Sequence, residues 1–142
     1  MWELRAGQGP MAVVLRAQRL GDDLVVTLGG GTRSHVGAAA VAQPRPSLKG
    51  DGTVSATASV IALLGHKEDE LARWAALRLA SQLNAVVVVT AGIHVDNATP
   101  DQIRQLDAAA RGLVEELATE LVRRLKGENQ SAVDAAAGER DG

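Results

Sequence analysis

The sequence predicts an α+β fold: a mostly antiparallel sheet of about five strands, with two helices packed on one face in two layers. Three observations carry this. Strand-like runs at 11–20, 24–28, 36–42 and 53–64 come first in the chain. Two helical stripes follow, one from Leu71 to Leu83 and one from Ile103 to Leu121. Between them lies Ala85-Val86-Val87-Val88-Val89, a β-branched run that reads as a central strand buried on both faces.

The elements follow in order. Trp2 to Arg5 could add a short edge strand. Met11 to Leu20 and Leu24 to Leu28 flank the turn Gly21-Asp22-Asp23 and form a hairpin. Gly29-Gly30-Gly31-Thr32-Arg33-Ser34-His35 reads as a glycine-rich loop. Its backbone can approach a ligand closely, and Arg33 and Ser34 can bond phosphate oxygens; the competing reading is a plain turn. It has neither a Walker ending nor a following helix, so neither a Walker loop nor a Rossmann turn fits. Val36 to Ala42 is a third strand, closed by the stiff connector around Pro44 and Pro46. Thr53 to Leu64 alternates strictly, with Val54, Ala56, Ala58, Val60 and Ala62 on one side. The other side is small and mixed, which leaves room for a flat ligand or a second subunit.

Glu68, Asp69 and Glu70 suit the positive start of the first helix, and Asn84 suits its C-terminal cap. Thr99-Pro100-Asp101-Gln102 is a strong start for the second: Thr99 as N-cap, Pro100 at the first helical position, Gln102 closing a capping box. That helix is expected to end near Lys126-Gly127. A single domain then spans 1–127, and the polar, Ala/Gly-rich 128–142 is expected to be a disordered tail.

Composition narrows the function. The 142 residues suffice for one domain with a real core. A net charge of −2 and only two aromatic residues, Trp2 and Trp74, argue against nucleic-acid binding. The absence of cysteine removes disulfides and thiolate metal sites. No apolar run approaches the ~20 residues of a membrane span. Met1 to Arg5 lacks a signal-peptide core, so the expected location is cytoplasmic.

The stretch from Thr90 to Pro100 is the pivot of the chain. It links the central strand to the second helix through Gly92, His94, Asp96 and Asn97, where open sheets usually carry their sites. Asp and Asn also form ordinary turns. The three histidines, His35, His66 and His94, each lie at or beyond a strand end beside glycine. With Asp96 or Asp69 they could ligate a metal ion, although no short-spaced HExxH pair exists. Chance placement in loops is the alternative.

The phrases SHVGAAAVAQPRPSL (34–48), SATASVIALLGHKEDELA (55–72) and VVVTAGIHVDNATPDQI (87–103) resemble the LpdD-like family, over about residues 10–120. Members of that family accompany UbiD-type decarboxylases, including a gallate decarboxylase. The resemblance implies a non-catalytic chaperone that binds prenylated FMN and helps supply a hydroxyarylic acid decarboxylase with it. The matching positions include Gly30, His35, Pro44, Arg45, Pro46, Ser47, Gly65, His66, Lys67, Gly92, His94, Asp96 and Asn97.

Prenylated FMN is a flat ring system with a dianionic phosphate. The expected cofactor-binding residues are Gly30, Arg33, Ser34, His35, Arg45, Ser47, His66, Lys67, His94, Asp96 and Asn97. Cationic groups and imidazoles can hold phosphate, directly or through a metal ion. Expected partners are a UbiD-type decarboxylase, a flavin prenyltransferase, and a second copy of the chain, since two helices cover only one face of the sheet. The competing readings are a small metal-dependent hydrolase or lyase using His35, His66, His94 and Asp96, and a ligand-free structural subunit.

Overall fold

Alternation of small apolar and polar residues builds six strands rather than about five. The computed structural model describes residues 1–63, 65 and 68–141. Its strands are β1 (Trp2–Ala6), β2 (Val13–Leu20), β3 (Asp23–Gly31), β4 (Arg33–Pro46), β5 (Val54–Ala62) and β6 (Val87–His94). The helices are α1 (Asp69–Leu83), between β5 and β6, and α2 (Pro100–Asp141). The extra strand is β1, which pairs with β2 in register from Trp2↔Ala17 to Ala6↔Val13.

The sheet order is β1-β2-β3-β6-β4-β5. Every neighbouring pair is antiparallel except β3 and β6. The β-branched run is therefore central, but it is not buried on both faces: Val87 and Val89 face the helices, whereas Val88 is half-buried on the face without helices. Both helices cover the same face: α1 lies over β4, β5 and β6, and α2 over β1 and β2. The mostly antiparallel α+β arrangement holds.

Period-two alternation decides what is buried. Val13 and Leu15 of β2, Val26 and Leu28 of β3, Ala40 and Ala42 of β4, and Val87 and Val89 of β6 face the helices and are buried. Leu79 of α1 and Leu117 of α2 close the core from above. Each such fully buried Leu or Val stabilises the fold by roughly 1.5–3 kcal/mol. Ala72, Ala75, Ala76 and Ala80 of α1 are also buried, as are Ala38, Ala40 and Ala42 of β4. Short side chains on both surfaces let helix and strand approach closely without aromatic filler. Among the described residues, the opposite face of the sheet carries no helix. Its central strip is small and uncharged: Thr27, Thr90, Ala39 and Ile61 form one cross-strand row.

The helix ends follow local chemistry. Gln102 N–H donates to Thr99 Oγ1 at 3.1 Å, and Thr99 N–H donates to Gln102 Oε1 at 3.0 Å. This reciprocal pair is the expected capping box. Asn84 closes α1 in the left-handed region, with φ 50°.

Two boundaries differ from the sequence reading. Gly29–Gly31 continue β3 instead of forming a loop, because β6 runs alongside and pairs Gly29 with Gly92 and Gly31 with His94. The segment expected as coil from 128 onward is helical to Asp141. Alanines at 132 and 135–137 favour helix, and Gln130 donates to Asp134 one turn on at 2.9 Å. Nearly all of its described side chains are exposed, so core packing does not hold it.

Candidate functional site at one end of the sheet

Topology gathers the polar motifs. The C-terminal ends of β3, β5 and β6 and the start of β4 share one edge of the sheet. At that edge lie Gly31 to His35, Leu63, Gly65, Glu68, and His94 to Asn97. Both helices begin there, so two positive helix ends face the same region.

His35 and His94 meet at this edge. Their ring centroids are 6.4 Å apart and their planes stand at 80°. A bulge creates the meeting. Ser34 pairs with Ile93 and Ala38 with Ala91, so His35, Val36 and Gly37 together span what Gly92 alone spans on β6. Gly92 is required, since a Cβ there would overlap the His35 carbonyl oxygen. Gly37 leaves room for the carboxylate of Glu68, which a Cβ there would push aside.

Each imidazole has its own carboxylate. His35 Nε2 lies 3.2 Å from Glu68 Oε1, both side chains being largely buried (18% and 15% exposed). His94 Nε2 lies 2.8 Å from Asp96 Oδ1, in a wetter setting. Arg33 pairs in register with His94, is exposed, and forms no ion pair among the described residues. The carbonyl of His94 is fixed by Thr32, whose N–H donates at 2.7 Å and whose Oγ1 donates at 3.1 Å. His94 is thereby oriented from the backbone outward.

Several expected site residues serve the chain instead. The backbone N–H groups of Gly31 and Thr32 donate to Ala12 and His94 carbonyls, so neither points free at a phosphate. Gly30 sits in the β2–β3 ladder opposite Val13, where a Cβ would strike the Ala12 carbonyl. Asn97 occupies the left-handed region at φ 54° and shapes the turn into α2. Arg45 and Ser47 lie at the other end of β4, roughly 30 Å from His35 along the strand. There Arg45 Nε donates to Thr57 Oγ1 at 2.9 Å, and Ser47 Oγ accepts from Lys49 N–H at 3.2 Å. Within one chain they do not join the histidines. His66 and Lys67 lie outside the described residues.

The residue that sequence reasoning missed is Glu68, read only as a charge suited to a helix start. Its signal was an acidic residue at the end of a connection that returns to a side-chain-free Gly37.

The metal reading finds no support. Among the described residues no group of three or more His, Cys, Asp or Glu side chains could hold a metal ion. Two cavities lie elsewhere. One, of about 600 Å³, is lined by Trp2, Leu4, Leu117, Thr119 and the carboxylates Glu115, Glu116 and Glu120. Two of these carboxylates are already engaged, Glu115 by Arg78 and Glu120 by Arg123 and Arg124. The other, of about 420 Å³, lies between α1 and α2 around Arg78, Val122 and Lys126.

The fold is a small α+β domain that brings two imidazoles together at one end of the sheet, beside an exposed arginine with no ion pair among the described residues. Residues 7–122 match the family described as prenylated flavin chaperone LpdD-like domain, and the chain belongs to that family. No curated protein matches the chain in sequence. Its fold is similar to a chain of a chaperone complex for yeast 20S proteasome assembly, at TM-score 0.53 and 16% identity, covering 84% of this chain and 95% of that one. No helix among the described residues is long and apolar enough to cross a membrane.

Proposed function

We propose that this protein binds prenylated FMN at the His35–His94 edge and passes it to a UbiD-type decarboxylase acting on a hydroxyarylic acid. Family membership supports the ligand class. The observation that carries the site is the perpendicular His35–His94 pair beside Arg33, which has no ion pair among the described residues, at an edge toward which both helices point their positive ends. His94 and Arg33 would hold the phosphate by charge-assisted bonds, with Ser34 beside them. The uncharged row through Thr27, Thr90 and Ala39 would carry the flat ring, in place of aromatic stacking.

When bound, prenylated FMN supplies an electron sink for decarboxylation to the partner enzyme. This chain's residues bind and orient it without reacting. Both imidazoles are engaged by carboxylates, and the chain has no cysteine to attack the cofactor. On this reading the protein is a non-catalytic accessory, working in the cytoplasm as a homo-oligomer and loading from a flavin prenyltransferase.

The test is co-expression with a flavin prenyltransferase, followed by mass spectrometry and absorbance of the purified protein. The expected result is near-stoichiometric prenylated FMN. Protein that carries no flavin under these conditions, and that fails to raise decarboxylase activity, contradicts the proposal.

A further inference from the structure

The two edges of the sheet are built differently. β1 is five residues long and carries Glu3 and Arg5. Shortness and charge are what keep an edge from pairing with another chain. β5 is nine residues long, Val54 to Ala62, with no charge, proline or glycine. It pairs with β4 in unbroken register, so no bulge turns it away. The other nearby protection, α1, covers only one face of it.

The free rim can be identified. Leu63 N–H donates to the Gly37 carbonyl at 2.9 Å. Residues two apart on a strand turn their backbone groups the same way. Ser55, Thr57, Ser59 and Ile61 therefore face β4. Val54, Ala56, Ala58, Val60 and Ala62 turn their N–H and C=O groups outward, where the sheet has no further strand among the described residues.

We propose that a second copy of this chain pairs antiparallel along β5, giving one continuous sheet with its two-fold axis at Ala58. The strand is close to a palindrome about that residue. In this register Ala58 meets Ala58 of the partner subunit, and Ala56 meets Val60 of the partner subunit, each pair exchanging backbone hydrogen bonds. Thr57 faces Ser59 of the partner subunit, hydroxyl to hydroxyl. The half-buried stripe Ala56, Ala58, Val60 meets its own copy and extends the apolar layer under α1. No like charges oppose each other, which is the condition a self-pairing edge must satisfy.

The pairing has a consequence for the cofactor site, which rests on the prenylated-FMN reading, whereas the pairing does not. Running β5 against its copy brings the Arg45–Ser47 end of one β4 to the same end of the sheet as His35 of the partner subunit. The two β4 strands are then separated by three strand spacings, roughly 14 Å. Arg45 and Ser47, too far from the histidines in their own chain, would border the site of the other.

Two measurements test the pairing. Light scattering at micromolar concentration is expected to show a dimer. The double substitution Thr57→Lys with Ser59→Lys sets lysines opposite each other at exposed positions and should weaken association roughly tenfold or more. Thr57→Glu with Ser59→Lys sets opposite charges face to face and should restore the dimer. The chain has no cysteine, so Thr57→Cys and Ser59→Cys can be made singly; on mixing and oxidation, only the mixture should form a disulfide-linked dimer. Circular dichroism checks that each variant stays folded. A monomeric wild type, a dimer indifferent to both charge pairs, or cross-linking no better in the mixture than in the single variants overturns the proposal.

Discussion

His35 and His94 stand edge to face, 6.4 Å apart, and each holds a different carboxylate: Glu68 at the start of α1 and Asp96 after β6. Two strands and one helix start are tied together at that point. The geometry depends on Gly92, which has no side chain to hold the bulge of β4 away.

Gly92→Ala tests that dependence. A methyl group would collide with the His35 carbonyl, and the neighbour is backbone that cannot rotate aside. Overpacking of this kind costs about 1–3 kcal/mol. A lower urea midpoint with unchanged slope is expected, together with weaker prenylated-FMN binding. Full stability would show that the bulge is not fixed by Gly92.

Much of the frame was legible in the sequence because its signals are local. The Thr99–Gln102 box, the Asn84 cap and the central valine run depend on residues within a few positions of one another. Taken alone, the Gly29–Gly31 stretch reads as a loop, because its strand character comes from β6, far along the chain. Glu68 was invisible as a partner of His35 for the same reason. Arg45 was grouped with the histidines by shared motif phrases, yet β4 is fourteen residues long and holds the two ends apart.

The α1–α2 contact should depend weakly on pH. Arg78 Nε and Nη2 donate to both oxygens of Glu115, at 2.7 and 3.0 Å. The hydrogen bond from Arg78 holds the Glu115 carboxyl below its ordinary 4.5. A depressed carboxyl contributes stability that is fully present above the unfolded value and is lost as pH falls through the folded one. Both side chains are more than a third exposed, so the contribution is at most about 1 kcal/mol. Arg78→Ala should therefore lower the melting temperature slightly at pH 7 and by less at pH 3, measured by calorimetry. An equal loss at both pH values would assign the effect to packing.

We propose that the end of α2 is dispensable. Beyond Gly127 the described residues are nearly all exposed, and their tie to the rest is the ion pair Arg19–Glu128 at 3.5 Å. Truncation after Gly127 should change stability by less than about 1 kcal/mol and leave cofactor binding intact. A large loss in thermal denaturation would show that the segment docks against the sheet or a partner.

The central claim is tested most directly by anaerobic titration of prenylated FMN into the wild-type protein, His94→Ala and Arg33→Ala. A lost charge-assisted bond costs roughly 1.5–3 kcal/mol, or about 10- to 150-fold in affinity. Each variant should show a loss in that range, with a melting temperature close to wild type because both side chains sit at the sheet edge outside the core. Wild-type affinity in both variants would contradict the assignment of this edge as the cofactor site.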